Sequence, residues 1–169
     1  MDNDGQKPSD GQKTMDEIQR PILLVIDDDP LQLRLYKVLL AKHYSVMTAA
    51  RSVDAINILE DLKQKHELDH IQAILLDIMM PNVDGFKLLQ HLRQEYPQAP
   101  VIMCSAMNQR EHVLRAMNLG ASDYLLKPFR RQTLLEKLAQ VKRPAPQPEP
   151  SPVMIEARVE TPQMAVAAT

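Results

Sequence analysis

Five short apolar runs, each followed by a stretch whose apolar residues recur at helical spacing, constrain this chain more than any other feature. The predicted strands are Ile22–Ile26, Ser45–Ala49, Ile71–Leu76, Val101–Cys104 and Asp123–Leu126. Most are nearly unbroken in their apolar character, the pattern of parallel strands covered on both faces. Between them, Leu31, Leu35, Val38 and Leu39 fall at helical spacing, as do Ala55, Ile58, Leu59 and Leu62, then Leu88, Leu89 and Leu92. Val113, Ala116 and Met117 mark a shorter fourth helix, and Leu134, Leu138 and Val141 a fifth. Five strand-then-helix units predict an α/β protein with an open, doubly wound parallel sheet. They are too few for an eight-stranded barrel.

The chain around these units reads differently. Residues 1–20 are polar and broken by Gly5, Pro8 and Gly11, which predicts a disordered N-terminal tail. From Pro144 to Pro152 proline takes every second position, a composition that favours extended polyproline II and cannot continue a helix. Residues 144–169 are therefore expected to form a Pro-rich disordered tail, with one folded domain over residues 21–143. A net charge of -2 gives no electrostatic case for direct nucleic-acid binding. Cys104 is the only cysteine, which excludes an intramolecular disulfide and fits a reducing compartment. No apolar run approaches the length needed to span a bilayer and the N-terminus has no secretory h-region, so a cytoplasmic protein without membrane insertion is expected.

In an open α/β sheet ligands bind beyond the carboxyl ends of the strands. The first strand runs into Asp27, Asp28 and Asp29, and the third into Asp77 within "AILLDIMMPNVDG". The fourth ends at Cys104 and Ser105, and the fifth at Lys127 within "GASDYLLKPF". Each has an ordinary explanation when taken alone. Asp29 before Pro30 can simply cap the first helix, Asp77 can be a turn residue, and Lys127 an exposed one. Together they bring carboxylates, a hydroxyl and an ammonium to one edge. Clustered carboxylates are tolerable beside a hard divalent cation such as Mg²⁺, which prefers oxygen ligands. A carboxylate there can attack phosphorus to form an aspartyl phosphate, with a lysine compensating the phosphoryl charge. The set suits phosphoryl transfer.

The segments "LLVIDDDP", "LLDIMMPNVDG", "VIMCSA" and "GASDYLLKPF" resemble, in order and spacing, the receiver domain of bacterial two-component response regulators. The resemblance covers residues 21–143. It implies a flavodoxin-like fold with strand order 2-1-3-4-5, and it implies roles. Asp77 would be the phosphoacceptor, taking a phosphoryl group from a histidine kinase. Asp27, Asp28, Asp77 and the backbone carbonyl of Met79 would serve Mg²⁺, Asp27 mainly through bound water. Lys127 would contact the phosphoryl group across a cis Lys127–Pro128 bond, Ser105 would be the switch hydroxyl, and Tyr124 the aromatic that follows it. Pro81, Asp84 and Gly85 fit the turn into the third helix.

A receiver is no enzyme in the usual sense, since it promotes only its own phosphorylation and dephosphorylation. Residues 144–169 hold no helix-turn-helix pattern, so the expectation is a stand-alone receiver. It would signal to a downstream protein through the face of helix 4, strand 5 and helix 5. The alternative is a relay intermediate that passes phosphate to a histidine phosphotransfer protein. Met79 and Met107, two residues past Asp77 and Ser105, cannot orient a hydrolytic water, which predicts slow self-dephosphorylation. Cys104 is expected to be a small apolar core residue.

Two rivals exist. His66-Glu67-Leu68-Asp69-His70 matches the H-E-x-x-H pattern of zinc metallopeptidases, in which two histidines on one helix share a zinc ion. It sits where the second helix should end and a strand begins, which breaks that geometry. Asp27 and Asp29 also carry the D-x-D spacing of aspartate-nucleophile phosphatases, but "DIMMPNVDG" and the domain size favour the receiver.

Overall fold

A computed structural model of the protein describes residues 20–81 and 83–142. The two expected disordered tails, apart from Arg20, lie outside the described residues. Five strands form one parallel sheet: β1 (Ile22–Ile26), β2 (Ser45–Ala49), β3 (Ile71–Asp77), β4 (Val101–Ser105) and β5 (Asp123–Leu126). Their order is β2-β1-β3-β4-β5, every neighbouring pair parallel. Four helices make the crossovers, α1 (Pro30–Leu40), α2 (Ser52–Gln64), α3 (Gly85–Glu95) and α4 (Arg110–Asn118), and α5 (Arg131–Gln140) follows the last strand. The chain is the doubly wound α/β sheet expected from its sequence.

Side chains of a strand alternate between the faces of the sheet, and the core divides accordingly. Leu24, Ile26, Ile74, Leu76 and Met103 pack with α2 and α3 through Leu59, Leu62, Leu89 and Leu92, and with Ala116 of α4. Leu23, Val25, Leu75, Ile102 and Leu125 pack on the other face with α1 and α5 through Leu33, Tyr36, Leu134 and Leu138. Each fully buried Leu or Ile contributes about 1.5–3 kcal/mol relative to exposure.

Helix α1 differs from its sequence pattern. Leu33, Tyr36 and Leu40 face the core, while Leu31 and Val38 are 73% and 78% exposed and Leu35 is exposed as well. Asp29 caps the helix by accepting from Leu31 N at 2.8 Å and Pro30 takes its first position, which sets where the helix begins. Of the four residues expected to face the core only Leu39 packs against it, because apolar residues lie on several sides of this helix and spacing alone does not select the buried stripe. In α4, similarly, only Ala116 is buried.

Helix α2 stops in a Schellman motif. Glu67 N donates to Leu62 O and His66 N to Lys63 O, with His66 at φ 57 where glycine is usual. A single turn of 3₁₀ helix, Leu68–His70, then leads into β3. His66 and His70 therefore do not share a helix, and the zinc pattern lacks the geometry it requires.

Candidate functional site

Among the described residues, the buried polar or charged side chains are Asp27, Asp77 and Ser105, at 3%, 6% and 0% exposure. All three stand at the carboxyl ends of the central strands β1, β3 and β4. Alternation explains part of the grouping. Asp27, Asp77 and Lys127 each lie two residues beyond Val25, Leu75 and Leu125, which share the face covered by α1 and α5. Backbone pairing continues past the apolar runs: Asp77 pairs with Cys104, and Lys127 N donates to Ser105 O at 2.7 Å.

The lysine draws the carboxylates together. Lys127 Nζ donates to Asp27 Oδ2 at 2.7 Å and to Asp77 Oδ1 at 2.9 Å. The remaining oxygens are also engaged, Asp27 Oδ1 by Asp29 N at 3.0 Å and Asp77 Oδ2 by Met79 N at 3.0 Å. Burial raises the pKa of Asp77; hydrogen bonding and attraction to Lys127 oppose that rise, while the charge of Asp27 adds to it. Burial pulls Lys127 down, yet its hydrogen bonds to the two aspartates outweigh this and leave the ammonium with a raised pKa. The site is a desolvated carboxylate pair bridged and partly compensated by one ammonium.

Asp28 is exposed beside this pair. Ligand atoms of Asp27, Asp28 and Asp77 lie within 4.8 Å of one another, and no other such group of three or more occurs among the described residues. An all-oxygen set of carboxylates fits a hard cation such as Mg²⁺ and not the softer nitrogen- and sulfur-seeking metals.

Ser105 and Tyr124 meet at Met107. Ser105 Oγ accepts from Met107 N at 3.0 Å, and Tyr124 Oη donates to Met107 O at 2.8 Å. Nothing in the sequence signalled that both residues hold the backbone of this one position. The side chain of Met107 packs against the core, whereas that of Met79 is 59% exposed. The Lys127–Pro128 bond is cis. Cys104 is buried, and burial pushes its thiol up to about 12, so it is an unreactive core residue.

The turn after Asp77 is held from below. Met79–Met80 and Val83–Asp84 form a two-residue antiparallel ladder, and Asp84 caps α3 by accepting from Phe86 N at 2.9 Å. Gly85 follows because a Cβ there would stand 2.8 Å from both Asp77 O and Ile78 Cα. Only glycine lets α3 approach the backbone of the candidate acceptor so closely.

The family model for the response regulator receiver domain matches residues 23–139. The chain is 39% identical over 113 residues to the two-component response regulator ORR26 of Oryza sativa subsp. japonica, covering 66% of this chain and 18% of that protein. It is 33% identical over 128 residues to the probable transcriptional regulator ycf27 of Cyanophora paradoxa, covering 75% of this chain and 50% of that one. The chain thus spans between about a fifth and a half of the length of these relatives. Among solved structures, the chemotaxis protein CheY4 of Vibrio cholerae superposes with a TM-score of 0.63 at 26% identity, covering 73% of this chain and 99% of that one. Among the described residues no helix is long and apolar enough to cross a membrane.

Proposed function

The chain belongs to the response regulator receiver family, and on that premise we propose that Asp77 accepts a phosphoryl group from the phosphohistidine of a sensor kinase. One observation carries the reading: Asp77 is buried at a strand end, with Lys127 shared between it and Asp27. Asp27, Asp28, Asp77 and the carbonyl of Met79 would hold Mg²⁺, which when bound neutralises charge on the phosphoryl oxygens. An oxygen of Asp77 attacks phosphorus, a P–O bond forms, and the P–N bond breaks with its electron pair going to the departing imidazole. Lys127, already on Asp77, compensates charge on the incoming oxygens. In this reading the Ser105 O–H donates to the acyl phosphate.

Two surfaces support partner binding. A strip of Leu31, Leu35 and Val38 on α1 runs beside a groove of about 360 Å³ lined by Leu35, Leu39, Lys127 and Phe129. It adjoins the reactive edge, as a face receiving the histidine-bearing helices of the donor must. Leu114 and Met117 on α4 and Leu126 on β5 are also exposed, at the face expected to carry the output to a downstream protein. Passing the phosphate on to a histidine phosphotransfer protein would use the same acceptor and the α1 face.

The test is intact mass after incubation with Mg²⁺ and a small-molecule phosphodonor. One base-labile phosphoryl adduct is expected, absent from Asp77→Asn; an adduct that survives in the mutant would refute the assignment.

A further inference from the structure

Two hollows open at the amino end of the sheet, away from Asp77. One, of about 310 Å³, lies ahead of β3 and β4 and has apolar walls of Leu68, Tyr96, Pro97 and Ala99. The other, of about 580 Å³, is lined by Arg93 of α3, by Gly120–Ser122 ahead of β5, and by Gln140–Lys142 at the end of α5. Arg93 joins them. Its Nη1 donates to Ala99 O at 3.0 Å, in the wall of the first hollow, while its stem lies against Gly120 in the second. We propose that residues 144–152 of this chain run along the second hollow and seat in the first.

Position and length carry the assignment. The described residues end at Lys142, inside the second hollow. Gln72 Nε2 donates to Leu138 O at 2.8 Å, which sets the end of α5 beside the start of β3. Leu68, in the wall of the first hollow, precedes Gln72 by a stretch of chain that spans at most about 14 Å. Residues 144–152 in polyproline II cover about 28 Å, so the segment reaches the first hollow with length left to fill it. Composition agrees. "PAPQPEPSP" has proline at every second position and Glu149 as its only charge. A backbone already held extended loses little entropy on docking, and proline rings suit an apolar cavity with an aromatic wall. Proline has no N–H, so the segment brings few donors to be left unpaired against those walls. The seat lies opposite the reactive edge and leaves Asp77 open to a donor.

A nitroxide at Ser151→Cys tests this in the full chain, since Cys104 is buried and unreactive. The amide NMR signals of Leu68, Glu95 and Gln98 are expected to be lost while the label is oxidised and restored when it is reduced. Changing Pro146, Pro148 and Pro150 to glycine in the labelled protein alters nothing within residues 21–143. It is expected to return those signals, because glycine raises the entropy lost on docking. Broadening that fades away from Lys142 without reaching Leu68 and Gln98 would overturn the proposal, as would broadening that survives the glycine changes. In a mixture of isotope-labelled protein lacking the nitroxide with nitroxide-bearing protein of natural isotope content, the signals should stay intact. Their loss there would mean that a second copy supplies the occupant, which would also overturn the proposal.

Discussion

The two ends of the sheet are built on opposite terms. At the carboxyl end, Asp27, Asp77 and Ser105 are buried polar groups, held by one lysine and by backbone N–H groups. At the amino end the polar groups stay at the edge of an apolar cavity of about 310 Å³, lined by Leu68, Tyr96, Pro97 and Ala99 with Lys63 and Glu95. There the Tyr96 hydroxyl hydrogen-bonds Glu60, and Lys63 lies 5.9 Å above the Tyr96 ring. Buried charge is costly unless it is paired, and pairing does not make it a source of stability. The contrast teaches that the two ends handle charge differently: one buries and pairs it, while the other keeps it at the rim of an apolar cavity.

Removing the shared cation should break the contrast most severely. Lys127→Met leaves two buried carboxylates without compensation. The expected loss is about 2–4 kcal/mol in chelator, somewhat below the value for a fully buried pair because solvent reaches the ammonium. Added Mg²⁺ should restore part of it; denaturant unfolding with and without Mg²⁺ measures both. Gly85→Ala comes next, since its Cβ would force apart α3 and the Asp77–Ile78 backbone. Overpacking of this kind costs about 1–3 kcal/mol, and acyl phosphate formation should slow with it. At the amino end, Tyr96→Phe removes one hydrogen bond, worth about 0.5–1.5 kcal/mol. Its rate of phosphorylation by a small donor should match wild type.

The smallest effect sharpens the comparison because its sign is reversed. Burial raises the folded pKa of Asp77, so its contribution to stability is present below the unfolded pKa and lost as pH rises through the folded value. Ionised Asp77 is thus a burden at neutral pH. In metal-free buffer, Asp77→Asn should raise Tm near pH 7, Lys127 keeping its bond to Asp27, and the gain should shrink as the pH is lowered towards about 4. A lower Tm at pH 7 would mean that the carboxylate supports the fold.

Much of this was legible in sequence, for physical reasons. Strands β1, β2 and β5 match their predicted bounds; β1 is buried along its whole length and ends abruptly in aspartates, whereas β2 and β5 are half-buried strands at the edges of the sheet. Strands β3 and β4 run one residue further, onto Asp77 and Ser105, because backbone pairing does not stop where hydropathy does. The phase of α1 was only partly legible: Leu39 packs on the core as expected, but Leu31, Leu33, Leu35, Val38 and Leu40 spread apolar character over several sides of the helix. Asp27, Asp77, Ser105 and Lys127 could be placed at one edge from topology alone. That Lys127 bridges the first two, and that Ser105 and Tyr124 share Met107, depends on rotamers no spacing encodes.

The central claim is that one carboxylate of this edge, and not its neighbours, takes the phosphoryl group. Borohydride reduction of the acyl phosphate followed by tandem mass spectrometry tests it most directly, because reduction converts the phosphorylated aspartate to homoserine. The account predicts homoserine at position 77 alone, formed only when Mg²⁺ accompanies the phosphodonor. Homoserine at position 27 or 28, or none under any condition, would contradict it.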